Sequence, residues 1–355
     1  MNSTLPPLPA WKEARLRNWW AGARQSSPCI AGWVLNPDAR LPQARDPEQF
    51  WTDTEFIIAR KMAELEQTTC YGCAVPLHYI DQGSSAMAGV LGCPLQYVDM
   101  ETVWAHPRCG SLDGVFAVEL DPVVPVYQRI RELTRRSAAL AAGHHFVAPF
   151  ALEGVTDLLA ALYGIENFLV DVLDRPEDLR RAIDHLDDLW LRAFAETQTW
   201  IRAGGQVGGI GWAGVWAPGT TFPLQEDVAY NLAPDHFRRL CLPSLRRRMA
   251  ALEYPYFHLD GVGMLPHLPL LLELEELPVI QWVPGAGRER LDQWHAVIRR
   301  ILQAGKRVHL YARADEVAPL VDAVGPDGLF LTITDATHEK MATLLNRFPQ
   351  QSLPA

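Results

Sequence analysis

The second half of the chain alternates short apolar runs with longer amphipathic stretches. Each run stops in polar or aromatic residues: Gly211 to Trp216, Gln225-Glu226-Asp227, His258-Leu259-Asp260-Gly261, Gln281-Trp282-Val283-Pro284-Gly285, Tyr311-Ala312-Arg313 and Thr334-Asp335. Short, nearly continuous apolar runs read as strands buried on both faces, and stretches with apolar positions three and four apart read as helices. The predicted order is helix 234–252, strand 256–258, helix 264–277, strand 279–283, helix 291–304, strand 307–311, helix 315–324, strand 329–334 and helix 338–347. Upstream, Asp46-Pro47 opens a helix with a side-chain cap and a proline in its first turn. A strand at 74–80, a short helix from Met87 to Leu91, a long helix from Pro122 to Ala142 and a strand at 146–150 follow. Further helices start at Thr156-Asp157 and at Arg175-Pro176-Glu177, the second running to Ala203.

Strands alternating with helices of this length form βα units around a parallel sheet. The expected architecture is a single (β/α)8 TIM barrel with an N-terminal helical, Trp-rich extension. Residues 1–70, with Trp11, Trp19, Trp20 and Trp33, are expected as an arm and helix packed on the body, and residues 71–350 as the barrel. The alternative is an open doubly wound sheet, but no Gly-rich phosphate fingerprint follows an early strand. In a barrel the strand ends face the active site, so the endings above nominate one pocket.

Composition narrows the classes. A formal net charge of −10 argues against a nucleic-acid binder, which carries a basic stripe. No apolar run approaches the length of a membrane span, and Met1 to Arg17 has no apolar signal core, so a soluble, cytoplasmic protein is expected. The six cysteines are scattered, which argues against a disulfide framework, and Cys70-x-x-Cys73 lacks the second pair of a zinc ribbon.

His258 and Asp260 lie two apart at a strand end, so both side chains point the same way. Histidine with a carboxylate is a metal-binding or acid–base pairing. Glu226 and Asp227 are neighbours, so only one of them faces the pocket, while Asp335 serves either as a ligand or as a helix cap. If His258, Glu226 and Asp335 converge, with Asp260 beside them, they make a nitrogen–oxygen ligand set suited to zinc, iron or manganese. Trp212, Trp216, Trp282 and Tyr311, with Trp104 as an addition, are either core residues or the walls of a ligand pocket. Gln225 joins them as a polar candidate, and His144-His145 read as structural.

Several stretches together resemble the uroporphyrinogen decarboxylase superfamily, nearest its corrinoid methyltransferase-like branch. They are Gln225-Glu226-Asp227, Leu232 to Phe237, Leu242-Pro243, His258-Leu259-Asp260-Gly261, Ile280 to Gly287, the strand from Gly328 to Thr334, and Phe168 to Pro176. The resemblance covers roughly residues 145–347 and implies a (β/α)8 barrel. It also implies methyl (one-carbon) transfer on a small substrate, with zinc as the expected metal and cobalamin supplied by a corrinoid carrier protein. His258 matches the histidine of the family's zinc site, Asp260 stands where its first cysteine would be, and Asp335 falls near its later cysteine. Carboxylates in place of thiolates make a harder metal site, aimed at oxygen rather than at a thiol. On this reading His258, Glu226 and Asp335 hold the metal, and His258, Asp260, Glu226 and Asp227 carry the chemistry. Trp212, Trp216, Gln225, Trp282 and Tyr311 hold the substrate. A metal-independent decarboxylase or lyase and a non-catalytic binding barrel are the alternatives, and a Trp-rich arm suits a homodimer.

Overall fold

The computed structural model describes residues 8–351 apart from Ala142 and Glu289. Its strands are β1 (Cys29–Leu35), β2 (Thr68–Gly72), β3 (Leu77–Tyr79), β4 (Leu95–Tyr97), β5 (Val103–Ala105), β6 (Phe146–Ala148), β7 (Gly209–Ile210), β8 (Trp216–Ala217), β9 (Thr221–Leu224), β10 (Tyr254–Asp260), β11 (Val279–Val283), β12 (Arg307–Ala312) and β13 (Leu329–Ile333). β9 to β13 lie side by side in chain order, every neighbouring pair parallel, and β1 adds in parallel to β13. First and last parallel strands are therefore neighbours. An open doubly wound sheet, whose strand order reverses at a switch point, does not have that order.

The ladders form an arc of seven strands, with the hairpin strand β2 antiparallel on the outer edge of β1, and a separate parallel pair β3–β6. Between the arc and this pair lie two seams that no strand ladder crosses among the described residues. At one, Cys73 donates N–H to Ile30 O at 2.7 Å and Trp33 Nε1 donates to Val75 O at 2.8 Å. On the free edge of β6, the Gln206 amide satisfies both backbone groups of Val147, at 2.7 and 3.1 Å, standing in for a neighbouring strand.

Side-chain alternation divides the core in two. Outward residues such as Phe257, Leu259, Ile280, Trp282, Val308, Leu310 and Leu331 pack under the helices. Inward residues Cys29, Ala31, Tyr256, Val279 and Phe330 form a second cluster with Leu16, Trp19 and Trp20 of the helix Ala10–Ala21. That helix closes the end of the sheet at which the strands begin. Trp19 Nε1 donates to Gly328 O at 3.1 Å, and Trp20 Nε1 to Trp216 O at 2.8 Å.

Several predicted helices are shorter or broken, each for a local reason. The helix expected from Pro122 runs from Pro125 to Leu140, and the expected end at Ala142 lies outside the described residues. Helix 234–252 is interrupted by a π turn at Phe237–Cys241, where the N–H of Leu242 reaches back to Phe237 O and the next residue, Pro243, has no N–H to donate. Helix 264–277 reduces to a 3-10 turn, Val262–His267, and a short helix, Leu268–Leu272, because Pro266 and Pro269 interrupt it. Among the described residues no helix is long and apolar enough to cross a membrane.

Candidate active site

The register aligns His258 of β10 with Gln281 of β11, and Gln281 with His309 of β12. All three point inward and form one hydrogen-bonded row. His258 Nδ1 lies 2.6 Å from Gln281 Oε1, Gln281 Nε2 lies 3.0 Å from His309 Nδ1, and His309 Nε2 lies 2.9 Å from Thr332 Oγ1 of β13. The Tyr256 hydroxyl also meets His309 Nδ1. With the Gln281 amide oriented as it stands here, one set of tautomers satisfies the row, the Tyr256 hydroxyl sharing His309 Nδ1 with the Gln281 amide. The Gln281 carbonyl accepts from His258 Nδ1–H, its amide donates to an unprotonated His309 Nδ1, and His309 Nε2–H donates to Thr332. Burial lowers the pKa of His258, and it pushes that of His309 down to about 3. Both imidazoles are thus neutral at pH 7, and His258 keeps a lone pair on Nε2, the form that takes a proton or a metal. Asp260 Oδ2 lies 3.9 Å from that nitrogen, and the Trp212 ring stands edge-on to His258 with centroids 4.9 Å apart.

Carboxylates gather at the same strand ends. Burial first, then Asp157, Asp260 and other acidic neighbours, pushes Asp227 up to about 9. Gln225 Nε2 donates to Asp227 Oδ2 at 2.8 Å. Glu153 accepts the Ala88 N–H at 2.9 Å, and burial pushes it up to about 8. A carboxyl raised this far adds stability at low pH and loses it as pH rises through the folded-state value. Glu153→Gln keeps the acceptor for Ala88 and removes the ionisation. We expect the variant to melt with the wild type at pH 4, below the ordinary carboxyl value, and increasingly above it as pH rises to about 8. Equal melting temperatures at both pH values would mean that Glu153 is already ionised at neutrality.

The other expected site residues are placed elsewhere. Glu226 turns away from Asp227 and is fully buried against Arg248 and Thr156. Asp335 receives the Ala314 N–H at 2.8 Å and Lys340 Nζ at 2.7 Å. His258, Glu226 and Asp335 are therefore not brought together, and no group of three His, Cys, Asp or Glu side chains able to hold a metal occurs among the described residues. Trp216 sits at the closed end with Arg17 over its ring, 5.8 Å from the centroid. Trp282 faces outward onto Trp294, with centroids 5.3 Å apart. Trp104 is exposed. Of the two neighbouring histidines, His144 is exposed, and His145 is buried in a His78–Ser137–His145 row at 2.6 and 3.1 Å.

Trp212 and Tyr311 line a cavity of about 500 Å3, together with Trp33, Cys70, Thr332, and Arg60, Lys61 and Glu64 of the helix Thr54–Glu66. Of the two residues that complete the polar row, Gln281 enters the sequence reading only as part of a strand ending, without a role, and His309 is not among the sequence candidates. Their signal is a polar residue in the middle of an apolar strand, which is rarely buried without a partner.

No family profile matches the sequence, and no curated protein matches it. Among solved structures the fold is similar to that of a methyltransferase from Methanosarcina mazei, with a TM-score of 0.60 at 12% identity, covering 96% of this chain and 98% of that one. A B12-independent methionine synthase from Shewanella sp. W3-18-1, in complex with selenomethionine, aligns over 61% of this chain and 64% of its own, with a TM-score of 0.36 and 14% identity. The first likeness spans nearly all of both chains and establishes a shared fold: mixed α/β with a parallel sheet.

Proposed function

We propose that the chain is a methyltransferase of the uroporphyrinogen decarboxylase superfamily, built on a (β/α)8 barrel that closes across the two seams. One observation carries the reading: a neutral His258, its Nε2 lone pair free, stands beside Asp260 at the open strand ends and against Trp212, a wall of the cavity. His258 Nε2 takes the proton of the acceptor group as the new bond to the methyl carbon forms, and the donor's leaving group departs with its electron pair. Asp260 stabilises the imidazolium, and Gln281 holds the ring in the tautomer that leaves Nε2 open. A corrinoid carrier protein is the proposed methyl donor.

A resident zinc ion would need about three protein donors. His258 and Asp260 are paired here, while Arg248 occupies Glu226 and Lys340 occupies Asp335. The residues present do not fit the expected three-ligand site, and the proposed chemistry runs without it. A second reading, decarboxylation or lyase chemistry, draws support from Asp227 and Glu153, whose raised values keep them protonated at neutral pH as proton donors.

The test combines elemental analysis with transfer of a labelled methyl group from methylcobalamin, on wild type and His258→Ala. Transfer by wild type that drops about a hundredfold or more in the variant is expected, as for loss of a general base. Carbon dioxide release without methyl transfer would favour the second reading. One equivalent of zinc in wild type, lost in His258→Ala, would overturn the metal-free chemistry.

A further inference from the structure

The cavity has a chemical character that goes beyond the reaction proposed for its edge. Its aromatic walls are held rigidly. The Trp33 indole is anchored through Nε1 to Val75 O at 2.8 Å. Its ring lies against the backbone of Gly214, where φ is 76° and a Cβ would come within 2.8 Å of the ring. Tyr311 points inward from β12 beside His309, with centroids 5.4 Å apart, and Trp212 is fixed against His258. Ordered aromatic faces around a cavity of about 500 Å3 suit a flat ring, since stacking adds to the area buried.

The charged residues of the wall all come from one helix: Arg60, Lys61 and Glu64. Two cations against one carboxylate leave the wall positive in a chain whose net charge is −10. Lys61 Nζ pairs with Glu64 at 2.8 Å, and its side chain is only 22% exposed. The ammonium is therefore partly withdrawn from water and has donors to spare. Arg60 gives one N–H to Pro42 O at 2.6 Å and lies over the Phe50 ring, leaving further guanidinium donors. Among the described residues no second carboxylate of the cavity wall offsets this pair of cations.

Resting on the reading of this cavity as the substrate site, we propose that it takes a flat monoanion: an aromatic or heteroaromatic carboxylate. The ring lies among Trp33, Trp212 and Tyr311, and the carboxylate meets Lys61 and Arg60. A cationic ligand of the same shape, which the aromatic walls alone would welcome, is opposed by those two side chains.

Calorimetric titration with three probes that share one ring and differ in charge tests this: naphthoate, naphthalenemethanol and naphthylmethylammonium. Naphthoate is expected to bind tightest. Lys61→Met should weaken naphthoate on the order of tenfold, as for a charge-assisted contact, and leave the alcohol nearly unchanged, which also shows that the variant is folded. Trp212→Leu should weaken all three. Tighter binding of the ammonium probe, equal losses for all probes in Lys61→Met, or no binding of any probe to wild type would overturn the assignment. Binding is read without turnover, so the two proposals fail separately. Carboxylate selectivity in a protein that moves no methyl group leaves the ligand class standing and sinks the reaction. Methyl transfer by a protein that prefers the ammonium probe does the reverse.

Discussion

Arg248→Met is expected to cost the fold about 3–5 kcal/mol, the usual penalty for removing one partner of a buried ion pair. Arg248, Glu226 and Asp187 are all fully buried. The guanidinium contacts Glu226 and lies 3.4 Å from Asp187 Oδ1, the same oxygen that accepts from the Ser244 hydroxyl at 2.9 Å. Glu226 also accepts the Thr156 N–H at 3.0 Å. One cation thus balances carboxylates from the long helix Pro176–Ala203 and from the loop after β9. Without it both carboxylates are stranded. Burial already pushes Asp187 up to about 6, and loss of the cation raises it further, so the deficit grows with pH, smaller at pH 5 than at pH 8. Urea unfolding at both values measures it. A triple variant, Arg248→Met with Glu226→Gln and Asp187→Asn, should recover much of the loss, because neutral side chains leave no stranded charge. A single variant within about 1 kcal/mol of wild type, the level of an exposed pair, would show that water reaches the cluster.

This cluster also shows why the sequence reading stopped where it did. The adjacency of Glu226 and Asp227 implied that only one faces the pocket. Which one depends on Arg248, 22 residues further on and on a different element, and no local pattern reports that contact. Parity acted in the same way at β11. Val279 joins the inner cluster, so Gln281 points inward and Trp282 outward, although tryptophan is the more conspicuous candidate. The strands β10 to β13 were legible because each ends in polar residues before a helix. β1 was not: Cys29 to Leu35 is apolar almost throughout and buried on both faces, so it carries no alternation to read. The hairpin strand β2, all half-buried or exposed, left no hydrophobic signature either. Pro176–Ala203 was read almost to the residue, since it combines a proline at its start with twenty-eight residues of helical period.

Trp19→Ala is expected to destabilise the protein by about 3–5 kcal/mol, the range for truncating a buried aromatic. Trp19 is 1% exposed and holds the helix Ala10–Ala21 to the sheet through its bond to Gly328 O. Its ring packs edge-on against Phe330 at 5.4 Å, and Phe330 packs edge-on against His309 at 5.3 Å. The helix is thus the floor of the inner cluster, one ring removed from the polar row that orients His258. The truncation leaves a void that is apolar apart from the Gly328 carbonyl at its edge, and such voids accept small guests; indole matches both the shape and the lost donor. Indole should therefore raise the melting temperature of Trp19→Ala and leave that of wild type unchanged, and Trp19→Phe should lose less than the alanine variant. A loss below about 1 kcal/mol, far under the cavity range, would mean that the helix lies on the surface of the inner cluster rather than closing it. The row from His258 to Thr332 would then have to be held in place by the strands alone.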